Sequence, residues 1–154
     1  MSVIHLPRKQ RDLFTRRWRK IERRASELSF HIPLVSMLRW AMRPDVLWWH
    51  TPNGELRDKR AAAKLKAMGT LAGVPDLQFH WCELDADGRK CRRVLHLELK
   101  AGNRPQSEAQ AGFALAVRLL GDHYEVAHSV DEAIAVLDSH GLLRPDVRLT
   151  MRGD

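Results

Sequence analysis

Val74–Leu84 (VPDLQFHWCEL) and Cys91–Ala101 (CRRVLHLELKA) are two strand-like runs that flank the tetrapeptide Asp85–Gly88 (DADG). An Asp-Gly turn between such runs predicts a β-hairpin. If the loop holds three residues, Asp85 pairs with Arg89, and the numbers of paired residues sum to 174. This register is a hypothesis, because a slip of one residue would turn every side chain to the other face.

The predicted register brings charged side chains together at one end of the hairpin. Asp76 falls opposite Glu98, and strand alternation puts Lys100 on the face of Glu98. Two carboxylates so close repel each other unless a cation lies between them. Their hard oxygens suit Mg²⁺ or Mn²⁺, which keep several waters and gather phosphates. The alternative is an ordinary ion pair between the glutamate and the lysine, with a solvated aspartate.

Helices and strands alternate along the rest of the chain, which predicts an α/β sandwich around a small mixed sheet. Pro33 is expected near the start of its helix or at a kink. Ser129 and Glu132 predict a capping box. The predicted elements outside the hairpin are an amphipathic helix with the stripe Phe14, Trp18, Ile21, Ala25 and Leu28, helices over Phe30–Met42, Glu55–Met68, Ser107–Leu120 and Ser129–His140, and strands over Val46–Thr51 and His123–His128.

The positive charge of the chain is concentrated near its N-terminus. The 154 residues carry a net charge of +7 with 44% hydrophobic and 29% charged residues, an ordinary globular balance. Between Arg8 and Arg24 lie nine bases and two acids, whereas the remaining 17 bases and 17 acids cancel. This basic helical arm favours a polyanionic partner, nucleic acid before membrane. It is equally open to packing its apolar stripe on the domain or on a second copy.

Other site classes receive less support from the residue pattern. No apolar run is long enough to span a bilayer, and two cysteines cannot build a disulfide framework, so a soluble protein of the reducing cytoplasm is expected. A zinc site would need His80, Cys82, Cys91 and His96, but strand parity puts Cys91 and His96 on opposite faces. The tryptophans are more typical of a core than of base-stacking platforms.

Several motifs resemble one nuclease family. Gly73–Leu77 (GVPDL), Leu97–Ala101 (LELKA) and Ser107-x-x-Gln110 look like the VRR-NUC (virus-type replication-repair nuclease) family of the PD-(D/E)XK superfamily, and His50–Gly54 (HTPNG) adds to the likeness. The resemblance covers about Ser26–Leu142. It implies a PD-(D/E)XK (restriction-endonuclease-like) core over residues 26–143, after the basic arm at 1–25 and before a tail at 144–154.

The resemblance also implies roles for individual residues. Asp76 and Glu98 would hold the metal, Mg²⁺ or Mn²⁺, with the backbone carbonyl of Leu99 and the carboxylate of Glu27 as further ligands. Lys100 would orient the attacking water and offset charge on the phosphate. Gln110 would position Lys100 or the phosphate, although a capping box with Ser107 explains it equally well. Ala114 stands where the RecB-like branch has tyrosine, so that subtype is not assigned.

The function implied is a divalent-metal-dependent DNA endonuclease that acts on branched DNA, as a Holliday-junction resolvase does. A homodimer with a role in replication, recombination or repair in a bacterium or phage-infected cell is expected. The alternatives are a catalytically silent nucleic-acid-binding module of the same fold, and an interaction protein whose arm binds an acidic partner. The residues expected to contact DNA are Arg16, Arg17, Arg19, Lys20, Asn53, Lys64 and Ser107.

Overall fold

The computed structural model describes residues 27–52, 59–102 and 105–146. Residues 1–26, which hold nearly all of the helix predicted along the basic arm, lie outside the described residues. Asn53 and the end of the tail also lie outside them. The elements are helix α1 (Glu27–Ala41), strand β1 (Leu47–His50), helix α2 (Lys59–Ala67), strands β2 (Leu77–Leu84) and β3 (Lys90–Leu99), helix α3 (Glu108–Leu119), strand β4 (His123–Ala127) and helix α4 (Val130–Ser139).

The four strands form one mixed sheet in the order β1-β2-β3-β4, which confirms the predicted α/β class. Strand β2 is antiparallel to both β1 and β3. The β2–β3 register runs from Leu77 opposite Leu97 to Leu84 opposite Lys90, so paired numbers sum to 174 as predicted. The Asp85 N–H donates to the Arg89 carbonyl at 2.9 Å and closes the hairpin.

The burial pattern follows from the position of each strand. Strand β3 has a neighbour on either side, and every residue from Val94 to Leu99 is buried. A strand covered on both faces carries a continuous apolar run rather than alternation. In β2 the alternation is kept, with Leu77, Phe79 and Trp81 buried. Within the buried run of β3, His96 and Glu98 are the two residues that are not apolar.

The chain divides into two compact units. The first, here the sheet unit, comprises Asp45–Glu98 and Arg104–Val126. It holds β1, α2, β2, α3 and nearly all of β3 and β4. Ala114 and Val117 of α3 form a buried cluster with Tyr124 of β4, and Phe113 packs against it.

The second, here the helical unit, has the described residues 27–44, 99–102 and 127–146. Helices α1 and α4 contact each other in it. Met42 and Leu143 form an antiparallel bridge, and the Arg43 N–H donates to the Leu142 carbonyl at 3.0 Å. No helix of the described residues is long and apolar enough to cross a membrane.

Two local predictions need correction. Pro33 lies inside α1 with six described helical residues before it, so the expectation that it lies near the helix start is wrong, whereas the kink stays a prediction. Proline removes one backbone hydrogen bond there. The capping box of α4 is only half formed. The Ser129 hydroxyl accepts the Glu132 N–H at 3.1 Å, but the Glu132 carboxylate accepts from the His128 N–H at 2.8 Å.

Candidate functional site

Asp76 and Glu98 both lie at one end of the hairpin, in the sheet unit. Asp76 immediately precedes β2, and extending the register by one pair sets it opposite Glu98. Glu98 is 4% exposed, and Asp76 is half-buried. Burial, the Glu98 carboxylate and then the Asp76 carboxylate together raise the pKa of Tyr124 to about 12. Both carboxylates therefore act on the pKa of the same phenol.

The Glu98 carboxylate is held by the first turn of α3. The Gln110 side-chain Nε2 donates a hydrogen bond to Glu98 Oε1. The Oε1 of the same amide accepts the Ser107 N–H at 2.9 Å, while the Ser107 hydroxyl accepts the Gln110 N–H at 3.3 Å. Gln110 thus completes the predicted capping box and also orients the Glu98 carboxylate. The capping role and the proposed role in the site are therefore compatible.

The loop that leads to Asp76 packs against the same helix turn. Gly73 has a φ of +81°, and a Cβ placed on it would lie 2.2 Å from the Ala109 carbonyl oxygen and 2.8 Å from the Gln110 nitrogen. A side chain cannot occupy that space, because the neighbouring atoms are backbone. Glycine at this position therefore allows the Asp76 loop and the turn that carries Gln110 to be in contact.

The backbone of Asp76 is fixed from its other side by β1. The Thr51 N–H and the His50 Nδ1 each lie 2.9 Å from the Asp76 carbonyl oxygen. The Gln78 side-chain amide donates to the Thr51 hydroxyl at 3.1 Å, which ties β1 to β2 just beyond this point. The direction in which the Asp76 carboxylate leaves the chain is thereby restrained by two hydrogen bonds to one carbonyl.

Tyr124, whose pKa the two carboxylates raise, was not predicted as part of the site. Its side chain is 1% exposed, and its hydroxyl accepts a hydrogen bond from the Gln106 amide at 3.1 Å. The Arg118 guanidinium lies 5.6 Å from the ring centroid. The hydrogen bond from Gln106 and the charge of Arg118 lower the pKa, but burial outweighs them. The phenol is therefore neutral over the physiological range.

A search of solved structures finds a chain described as follows to be similar to this one. It is a "VRR_NUC domain protein" that shares 25% sequence identity with this chain, at a TM-score of 0.45, over 68% of this chain and 80% of that one. The chain is similar to a VRR-NUC domain protein. This is the family that the motif residues resemble. No protein-family model matches the chain. No curated protein matches it either.

The remaining residues predicted for the site are distributed over both units. Three of them lie in the helical unit. Lys100 is half-buried, and its backbone N–H donates to the Ala127 carbonyl at 2.9 Å. Leu99 is 1% exposed, and Glu27 is the first residue of α1 as the structure describes it. In the sheet unit, Lys64 and Ser107 are exposed. The predicted DNA contacts that lie outside the described residues are Arg16, Arg17, Arg19, Lys20 and Asn53.

The zinc interpretation gains no support from the geometry. Cys82 pairs with Arg92 rather than Cys91, as the register predicted, and both cysteines are free. His96 is buried with Nε2 3.5 Å from Asp122, and burial lowers its pKa.

The prediction that the tryptophans belong to a core holds for only part of the set. Trp81 is 3% exposed, whereas Trp49 is 38% exposed on β1. Trp49 stacks on His80 with ring centroids 4.7 Å apart. Strand β1 is at the edge of the sheet, and Leu47, Trp49 and His50 on it are exposed.

Proposed function

We propose that this protein is a divalent-metal-dependent DNA endonuclease that hydrolyses phosphodiester bonds, with branched DNA as its preferred substrate. The observation that carries the proposal is the buried Glu98 carboxylate, which Gln110 holds and which the hairpin register sets opposite Asp76. A module that only binds nucleic acid has no use for carboxylates clustered beside a phosphate, because like charges repel the ligand.

The donor set fits Mg²⁺ or Mn²⁺. Asp76 and Glu98 would hold the ion through carboxylate oxygens, the ligands that these cations prefer. A carboxylate that is only 4% exposed, as Glu98 is, is costly to keep ionised unless positive charge compensates it. A divalent ion between the two carboxylates supplies that charge. Glu27 and the Leu99 carbonyl are proposed as further ligands on the family resemblance alone.

The protein's own groups would orient the reaction. When bound, the ion supplies positive charge that acidifies a water and neutralises the non-bridging phosphate oxygens. Gln110 keeps one Glu98 oxygen in place through its amide, so the carboxylate does not have to reorganise during the reaction. Lys100 is proposed to orient the water and to offset the negative charge that builds on the phosphate.

DNA would be attracted by charge and positioned by short polar contacts. Lys64 and Ser107 are exposed in the sheet unit, where an ammonium and a hydroxyl can contact phosphate oxygens. Asn53 and the arm residues Arg16, Arg17, Arg19 and Lys20 complete the proposed set. We also propose a homodimer that acts in replication, recombination or repair in a bacterial or phage-infected cell. Sedimentation velocity tests the dimer.

A cleavage assay tests the enzyme. The full chain is incubated with labelled four-way junction, single-stranded and duplex DNA in Mg²⁺, Mn²⁺ or EDTA. Cleavage in either metal and none in EDTA is expected, with the junction cut fastest. Asp76→Ala should abolish cleavage and leave binding intact. The matched control is Asp87→Asn, at an exposed hairpin acid with a 72% exposed side chain, which should cut normally. Binding without products in all metals would establish the catalytically silent module instead.

A further inference from the structure

The ring of His50 is close to both the backbone carbonyl and the carboxylate of Asp76. His50 is the last residue of β1 and is exposed. Its Nδ1 lies 2.9 Å from the Asp76 carbonyl oxygen. A ring nitrogen of His50 also lies within 4.8 Å of an Asp76 carboxylate oxygen. Both contacts are within the sheet unit.

The hydrogen bond determines the tautomer of the ring. A carbonyl oxygen only accepts hydrogen bonds, so Nδ1 of His50 must carry the proton and donate it. The neutral ring then has its lone pair on Nε2. Histidines that bind metals in proteins typically donate their other ring N–H to a backbone carbonyl or carboxylate, which fixes the ring orientation. His50 has this arrangement, and the carbonyl that it uses belongs to a proposed metal ligand.

We propose that His50 is a nitrogen ligand, through Nε2, of the same divalent ion that Asp76 holds. The inference rests on the proposed metal-dependent nuclease and adds to its ligand set. An imidazole favours later transition metals over Mg²⁺, whereas carboxylates suit Mg²⁺ and Mn²⁺ alike. The centre would therefore bind Mn²⁺ more tightly than Mg²⁺, and His50 would account for that difference.

Two substitutions separate a ligand from a residue that only holds Asp76 in place. His50→Asn keeps an N–H donor near the position of Nδ1 but has no atom at Nε2, whereas His50→Ala removes both. For a ligand, both variants should bind Mn²⁺ about tenfold or more weakly in calorimetry without DNA, with a smaller change for Mg²⁺. If His50→Asn binds Mn²⁺ as tightly as the wild type and only His50→Ala is weakened, the histidine merely positions Asp76 and the proposal is wrong.

A spectroscopic measurement gives a result that a structural role would not produce. Electron spin-echo modulation of protein loaded with one equivalent of Mn²⁺ should show ¹⁴N coupling from a directly bound imidazole, lost in His50→Asn. Asp76→Asn should lose the ion from this centre and serves as the control for other histidines. Absence of ¹⁴N coupling in the Mn²⁺-loaded wild type overturns the proposal even if neither His50 variant folds.

The outcomes also separate this inference from the function on which it rests. Wild-type protein that cuts DNA in Mg²⁺ but shows no nitrogen coupling retains the nuclease proposal and refutes the His50 ligand. Wild-type protein that binds no Mn²⁺ and cuts no DNA refutes both. Circular dichroism of the His50 variants shows whether weakened binding arises from unfolding.

Discussion

The hydrogen bond between Gln110 and Glu98 can be tested as a free energy of unfolding without assuming any activity. Gln110→Ala removes the amide that donates to the buried Glu98 carboxylate and also accepts the Ser107 N–H. A hydrogen bond to a charged group contributes about 1.5–3 kcal/mol, and the capping bond about 0.5–1.5 kcal/mol. The variant should therefore lose roughly 2–4 kcal/mol of stability.

A matched variant separates the two contributions. Ser107→Ala removes the hydroxyl that accepts the Gln110 N–H but leaves the amide on Glu98, so it should cost only about 1 kcal/mol, as N-cap substitutions do. Urea unfolding in EDTA, followed by tryptophan fluorescence, measures both. Working in EDTA keeps metal binding from adding to the stability of the folded state.

A double-mutant cycle isolates the pair. Glu98→Leu removes the carboxylate with similar bulk, and replacing a buried charge by an apolar group is often neutral or stabilising. In that background Gln110→Ala should cost only the capping part, so the coupling energy should be about 1.5–3 kcal/mol. A coupling below about 0.5 kcal/mol would refute the argument that the amide holds the carboxylate.

Three further predictions follow from other contacts. Gly73→Ala should lower the free energy of unfolding in urea by more than about 2 kcal/mol, because the residue combines a positive φ with backbone overlap. The control Gly88→Ala, at a φ of +74° with open space around it, should lower it by only about 1–2 kcal/mol. Equal losses in the two variants would contradict the close approach at Gly73. Tyr124 is the one tyrosine of the chain, so titration of the tyrosine absorbance should give its pKa, which we expect at about 12. Glu98→Gln should lower this pKa, and an unchanged value in that variant would mean that the carboxylate is not nearby. Because the folded pKa lies above the unfolded value of about 10, the stability from the neutral phenol is complete below pH 10 and falls between pH 10 and 12 by on the order of 2–3 kcal/mol. Replacing four arm bases together with alanine should lower the slope of log K against log salt concentration for DNA binding by up to about 3.6. An unchanged slope would mean that the arm does not touch DNA. The four bases are Arg16, Arg17, Arg19 and Lys20.

The hairpin and its register were predictable because the signals that specify them are local. The Asp-Gly turn limits the loop length, and the loop length fixes which residues pair. That register places Asp76 opposite Glu98 with no knowledge of the rest of the fold. The Ser107-x-x-Gln110 capping box is local in the same sense, since both hydrogen bonds join residues three apart.

Other features of the site join residues that are far apart in sequence, and no local pattern specifies them. Alternation along the paired strands would put His50 on the face of Leu77 and away from Asp76, yet the ring reaches the Asp76 carbonyl where the ladder ends. Tyr124 is an ordinary residue of a short strand in the sequence, and only the folded structure shows that Glu98 and Asp76 raise its pKa. Glycine at position 73 is required by a helix turn some 36 residues later, because a Cβ there would overlap the Ala109 carbonyl oxygen.

Sequence by itself determined the elements from α1 onward, the β2–β3 pairing and the pair of facing acids, because turn chemistry and periodicity act over a few residues. Only the tertiary structure decided which groups hold those acids. Within the sheet unit, the first turn of α3 lies at the end of β3, so Gln110 reaches Glu98. Asp76 is held because β1 ends beside it. Such contacts depend on how elements pack after they form, and the chain has no short-range signal for that packing.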